Sequence, residues 1–307
     1  MRRISKAEYR EYYMDNTDSV SDEIILAESE ETDFTLPKRK PVSHKYNYGR
    51  ALIIGGAVGY SGAPVLAANA CERGGAGVTQ LMVPDSIYSI AASRCDGTVV
   101  TPLPSTEKGR VSSVALPDIL SVLKKADACA LGPGLGIGDD SEELVRQILA
   151  RTSCPLVLDA DGLTVCARDP GILATCHAPL VLTPHEEEFR RIGGDLTGGR
   201  LAGALQFTAQ HPNVILILKG HGTLVCRNGD VCINPTGCPA MAKGGSGDVL
   251  AGLLCAMLAQ GFDPWFSARC AVYLHGLAGN LAAEEMGEYS LAPSDLIHML
   301  PRTFQQL

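Results

Sequence analysis

The chain has 307 residues, 46% of them apolar and 20% charged, which excludes disorder over most of its length. A chain of this size buries enough surface to need neither a disulfide nor a structural metal. The net charge is −8, and no run approaches the roughly 18 apolar residues of a membrane-spanning helix.

The charge is uneven. Residues 1–33 carry ten acids and four bases, a balance of −6, which leaves −2 for the rest. The body therefore has no basic face for nucleic acid. The opening MRRISKAEYREYY is basic but lacks the apolar core of a signal peptide. Eleven scattered cysteines contain no C-x-x-C pair. Cys226, Cys232 and Cys238 are evenly spaced without a metal-ligand pattern around them. Buried free thiols in a reducing compartment account for them, so a cytoplasmic protein with no nucleic-acid or membrane partner is expected.

Residues 1–35 read as an acidic N-terminal extension, a solvated surface helix or tail, with Ser21 capping a short helix through Glu31. The basic, Pro-broken stretch Leu36–Tyr48 reads as a loop leading into a single domain over 36–307. ALII from Ala51, ending at Gly55-Gly56, predicts a buried strand. Ser61 to Arg73 has Pro64 in its first turn and Gly74-Gly75 beyond its end, which predicts a helix. Short apolar runs follow at 78–83, 128–131, 156–158, 180–182 and 214–218, most separated by enough residues for a helix. This repetition predicts an α/β fold with a mostly parallel central sheet and helices on both faces. One hairpin breaks the alternation, with Asn228-Gly229 at its turn. Helices are predicted over 245–260 and 267–286.

Ligands bind at the carboxyl ends of parallel strands, so the residues after each strand matter most. Here they are Gly55-Gly56, Gly132–Gly136, Asp159-Ala160-Asp161, Thr183-Pro184-His185 and Lys219-Gly220. The strongest signal is Gly244-Gly245-Ser246-Gly247-Asp248, which opens a helix. Glycines let amides approach an anion, and a helix N-terminus adds positive potential. Such a hole suits a transferring phosphoryl group, with Asp248 beside it to accept the proton of an attacking hydroxyl. An acid at a helix start is equally explained by the helix dipole, and spacing does not separate the two readings. Lys219 to Thr223 can hold a nucleotide phosphate or be a solvated loop. His185 can bind a ligand or cap the helix that Glu186 to Glu188 begin. Asp159 and Asp161 can bind hydrated magnesium, orient a substrate hydroxyl, or cap a helix. A P-loop is absent, and Gly55 to Gly62 does not fit G-x-G-x-x-G.

Taken in order, LPKRKPVSHKYNYGRALIIGG, GYSGAPVLAANACERGGAG, LGPGLG, LDADGL, LTPHEEE, LKGHGT and NPTGCPAMAKGGSGDVLAG resemble the ADP-dependent (S)-NAD(P)H-hydrate dehydratase family. The resemblance covers roughly Leu36 to Pro301 and implies a ribokinase-like fold. It implies repair of hydrated NADH or NADPH. The C6 hydroxyl is phosphorylated at the expense of ADP or ATP with Mg²⁺, phosphate leaves, and the reduced cofactor returns. On this resemblance Asp248 is the base, and the backbone of Gly245, Ser246 and Gly247 is the anion hole. Ala63, Gly136, His185 and Asp248 contact the hydrate. Lys219, Gly220, His221, Gly222, Thr223 and Gly247 contact the nucleotide. A homotetramer and a separate epimerase for the other hydrate epimer are further implications, residues 1–33 being too short for an epimerase domain. Ala57, Cys238 and Lys243 depart from the family's usual residues. The alternatives are a kinase of a thiazole or pyrimidine alcohol and a non-catalytic nucleotide sensor. The T-P-H-E segment and the LPKRKPVSHKYNYGR stretch favour the dehydratase.

Overall fold

The computed structural model describes all 307 residues. Its strands in chain order are β1 (Arg2–Arg3), β2 (Ala27–Glu28), β3 (Arg50–Ile54), β4 (Val78–Pro84), β5 (Val99–Leu103), β6 (Ala128–Leu131), β7 (Leu156–Leu158), β8 (Leu180–Leu182), β9 (Val214–Leu218), β10 (Leu224–Arg227) and β11 (Asp230–Ile233). The helices are α1 (Lys6–Tyr13), α2 (Gly62–Arg73), α3 (Tyr88–Ala92), α4 (Leu116–Leu123), α5 (Asp139–Arg151), α6 (Asp161–Cys166), α7 (Glu186–Arg191), α8 (Arg200–Gln210), α9 (Ser246–Ala259), α10 (Pro264–Met286) and α11 (Pro293–Gln306).

All strands join one sheet in the order β1-β2-β11-β10-β9-β8-β7-β6-β3-β4-β5. The run from β9 to β5 in that order is wholly parallel. The β10–β11 hairpin is antiparallel, and Asn228 and Gly229 at its turn both have positive φ, 33° and 91°, as a type I′ turn requires. Alternate strand residues feed opposite cores. Ile53, Val157 and Ile217 pack with α2, α9, α10 and α11. Leu52, Leu158 and Leu216 pack with α4, α5, α6 and α8. The three-layer arrangement expected from the alternating runs is therefore present. No helix is long and apolar enough to cross a membrane. All eleven cysteines are free, and all but Cys238 are buried.

The first 34 residues depart from their sequence reading. No helix runs from Ser21 to Glu31. The Ser21 hydroxyl accepts from the Glu23 amide in a turn, and Ala27–Glu28 is a strand whose Glu28 pairs with Ile233 of β11. Pairing with a distant edge strand outweighs local helix propensity there. The actual helix is α1, which Ser5 and Glu8 start as a capping box. Its signature Ser5-Lys6-Ala7-Glu8 is present in the sequence. The segment is also not wholly solvated, since Tyr9 and Phe34 are buried.

Helix α9 sits at the centre of one layer and is apolar on every side, with Val249 through Ala259 all buried. It meets α2 so closely that a Cβ on Gly252 would lie 2.0 Å from the Ala67 carbonyl oxygen. This contact fixes where the amino end of α9 points. Gly→Ala inside a helix ordinarily gains about 1 kcal/mol. Gly252→Ala is instead expected to lower stability by about 2 kcal/mol through overpacking. Urea unfolding of the variant reads the sign directly.

Candidate active site

A cavity of about 1030 Å³ opens at the carboxyl ends of β7, β8 and β9, beneath the amino end of α9. Its walls include Asp159, His185, Lys219 to Thr223 and Gly244 to Asp248. That volume is at the upper end for a small-molecule site. A second cavity of about 1010 Å³ lies between the Leu36 to Ser43 loop and the carboxyl ends of α2 and α9. It has no anion-binding helix start and no buried base.

No side chain caps α9, and Gly245 at its N-cap has φ 102°. The Ser246 amide turns inward to the Lys243 carbonyl at 3.3 Å. The amides of Gly245, Gly247 and Asp248 donate to no acceptor. These free donors and the helix dipole are suited to an anion. A Cβ on Gly247 would stand 3.2 Å from Lys219 Nζ, so the ammonium lies against the same turn. Lys219 Nζ is 3.2 Å from Asp159 Oδ1 and 3.7 Å from Glu188 Oε2. Burial lowers the proton affinity of Lys219, but these two carboxylates outweigh it and the net shift is upward.

Asp248 has no hydrogen-bond partner of its own. Burial, then the charge of Asp159, pushes its carboxyl up to about 7, and Lys219 offsets part of the rise. A base poised there suits proton abstraction near neutrality. Asp159 is committed elsewhere, accepting from Thr183 Oγ1 at 2.6 Å and from Lys219. Asp161 turns the other way and accepts from the Gly136 amide at 2.8 Å. Between them Ala160 has φ 49° and ψ −119°, a conformation costly for any residue with a Cβ. That strained residue is what aims the two aspartates apart.

The site residues read from the sequence divide into two groups. Lys219, Gly220, His221, Gly222, Thr223, His185, Gly245, Ser246, Gly247 and Asp248 line the one cavity. Ala63 and Gly136 do not line it. They stand beside it, because Leu66, one turn along α2 from Ala63, lies against Gly245, while Gly136 is tied to Asp161. His185 is also the N-cap of α7. Its Nδ1 accepts from the amides of Glu187 and Glu188, which leaves Nε2 as its other hydrogen-bonding atom. The departing residues take up structural contacts. Lys243 Nζ donates to the carbonyls of Tyr289 and Leu291, Cys238 Sγ to that of Gly279, and Ala57 is buried.

Sequence reasoning missed His275. Burial holds its imidazole down to about 4, so it is neutral, and Nε2 lies 2.9 Å from the Ser246 carbonyl. It thereby steadies the first turn of α9. Nothing in the run Val272 to Gly276 distinguishes it from a core histidine. Asn234 and Thr236, both on the cavity wall, were missed too; Asn234 Nδ2 donates to the Thr236 carbonyl at 2.9 Å, and Thr236 Oγ1 to the Tyr273 carbonyl.

The sequence profile of the NAD(P)H-hydrate dehydratase family matches residues 51–302. The bifunctional NAD(P)H-hydrate repair enzyme Nnr of Moorella thermoacetica is 38% identical over 276 residues, covering 89% of this chain and 52% of that protein. The chain thus spans about half the length of the curated relatives it matches. Among solved structures, the ADP/ATP-dependent NAD(P)H-hydrate dehydratase of Bacillus subtilis, co-crystallised with ATP and Mg²⁺, superposes with a TM-score of 0.78. It is 29% identical, covering 93% of this chain and 99% of that one. A ribokinase-like superfamily protein of Enterococcus faecalis superposes with a TM-score of 0.80 at 27% identity, covering 92% and 96%. The fold is ribokinase-like.

The raised proton affinity of Asp248 has a consequence for stability. Between pH about 4 and about 7 the folded chain binds this proton and the unfolded chain does not, so stability falls as pH rises through that window. Asp248→Asn removes this loss and should be the more stable protein at pH 8. Its advantage should shrink by roughly 2 kcal/mol on going to pH 5.5. Chemical denaturation of both proteins at the two pH values checks this.

Proposed function

This chain belongs to the NAD(P)H-hydrate dehydratase family, and on that premise we propose that it restores NADH or NADPH from the S epimer of the hydrate at the expense of ADP or ATP. The observation that carries the proposal is Asp248, a carboxylate of proton affinity near 7, standing beside free helix amides and Lys219 in one cavity.

In this reading the hydrate's C6 hydroxyl faces Asp248, which takes its proton as the oxygen attacks the terminal phosphorus of the nucleotide. The amides of Gly247 and Asp248 and the ammonium of Lys219 receive the negative charge of the transferring group. AMP or ADP is then the first product, and the hydrate carries a phosphate at C6. The lone pair of the ring nitrogen expels that phosphate, and loss of a proton from C5 restores the double bond. Hydroxide is a poor leaving group and phosphate a good one, which is why a kinase scaffold serves a dehydration.

Magnesium fits as an ion carried by the nucleotide. No three His, Cys, Asp or Glu side chains are grouped to cage a metal, and Mg²⁺ commonly takes one or two carboxylates together with phosphate oxygens and waters. Asp159, whose bonds to Thr183 and Lys219 both fall on Oδ1, would offer its Oδ2 to the ion. Bound there, the ion would neutralise phosphate charge. A homotetramer and an epimerase activity that supplies the S epimer complete the proposal.

The direct test mixes the full chain with chemically prepared NADH hydrate, Mg²⁺ and ADP and follows the near-ultraviolet absorbance of the dihydronicotinamide. Recovery of absorbance with phosphate release is expected. A stable phosphorylated product would point to a small-molecule kinase instead, and binding without turnover to a sensor. Asp248→Asn should lose about 10²-fold or more in kcat while keeping nucleotide affinity. With wild type, kcat/KM should rise with pH through about 7 as Asp248 ionises. Asp159→Asn should move that limb to lower pH, since the Asp159 charge raises Asp248; a limb that stays in place refutes the assignment of the base.

A further inference from the structure

We propose that the N-terminal segment completes the nucleotide site, with Tyr13 as the positioning residue for the base of the nucleotide. This rests on reading Lys219 to Thr223 as the nucleotide loop. Residues 1–50 lie outside the span that the family profile matches. Even so, α1 runs up to that loop and ends on it.

Tyr13 lines the same cavity as Lys219 to Thr223 and Asp248. Gly222 has φ 59°, and a Cβ there would stand 2.2 Å from the Tyr13 ring. The ring therefore fills the space that a side chain at 222 would take. It also lies 5.6 Å, centroid to centroid, from the His221 imidazole. His221 Nε2 is 3.2 Å from the Tyr12 carbonyl, a second tie between α1 and the loop.

Both partners are held in place. The Tyr13 hydroxyl donates to Glu28 Oε1 at 2.7 Å, and Arg2 donates to the other Glu28 oxygen at 2.7 and 3.0 Å. Past the end of α1, the Asp15 carboxylate accepts from the Arg200 and Leu201 amides at 2.8 and 3.0 Å, capping α8. Arg200 in turn donates to the His221 carbonyl at 2.6 Å and the Leu218 carbonyl at 3.2 Å. The loop is thus clamped between α1 and α8.

The chemistry of the two ends of the cavity differs. Lys219 and the amides of α9 suit phosphate. Tyr13 and His221 offer aromatic rings, which suit a planar base, at a loop whose glycines let the Tyr13 ring and the Arg200 guanidinium approach it closely. Tyr13 sets the position of that end.

Full-length wild type, Tyr13→Ala and Tyr13→Phe are compared by isothermal titration with Mg·ADP in the absence of hydrate, then by steady-state kinetics. Tyr13→Ala should weaken ADP binding and raise its KM about ten-fold, the scale of one lost base–aromatic stack. The kcat and the KM for hydrate should stay within about two-fold, and Tyr13→Phe should recover most of the affinity. If Tyr13→Ala loses cooperative melting, Tyr13→Leu, which keeps apolar packing on Gly222, is read in its place. Wild-type ADP affinity in the folded variant overturns the proposal. So does a parallel loss of kcat and hydrate affinity, or a wild type that binds no ADP. ADP binding that depends on Tyr13 in a protein inactive on hydrate would keep this inference and refute the repair reading.

Discussion

Three carboxylates, Asp159, Glu188 and Asp248, share the field of one ammonium, Lys219. One cation does not offset three anions in a partly dry cleft, so one acid must hold its proton more tightly than usual. The hydrogen bonds decide which. Asp159 accepts from Thr183 and Lys219, and Glu188 accepts from the His185 amide. Asp248 accepts from none, and burial, then the charge of Asp159, raises its proton affinity. In the proposed reaction, its position next to unpaired helix amides lets it take the proton of an attacking hydroxyl.

The same logic governs α9. A Ser, Thr, Asp or Asn at its N-cap would stabilise the helix but occupy the donors the anion needs. Gly245 leaves them free, and the helix is held by packing instead. It is buried on all sides, seated on α2 at Gly252, and steadied at its first turn by His275. Stability comes from the far end and the flanks, which leaves the amino end for chemistry. Ala160 is the matching concession on the sheet side, a strained backbone that parts Asp159 from Asp161.

The acidic N-terminal segment is joined to this arrangement through the sheet edge and through α1. β2 extends the sheet beyond β11, and α1 rests its last residue on the loop after β9.

Much of this was legible in the residues alone. Parallel strands buried on both faces must be short apolar runs, so β3, β4, β6, β7, β8 and β9 stand out. The hairpin announces itself by Asn228-Gly229, and the uncapped start of α9 by the glycines that open it. Family motifs spread along most of the chain name the rest of the scaffold. What the tertiary structure alone decided is every relation between residues far apart in sequence. Ala27–Glu28 is a strand only because Ile233 lies beside it. Asp159 faces Lys219 only because the sheet order brings those strand ends together, and Tyr13 covers Gly222 only because α1 runs up to that loop. His275 matters only because α10 crosses the start of α9. Local patterns encode the backbone preferences of a segment. The proton affinity of Asp248 is the sum of charges and burial supplied by distant parts of the chain, and it exists only once they have converged.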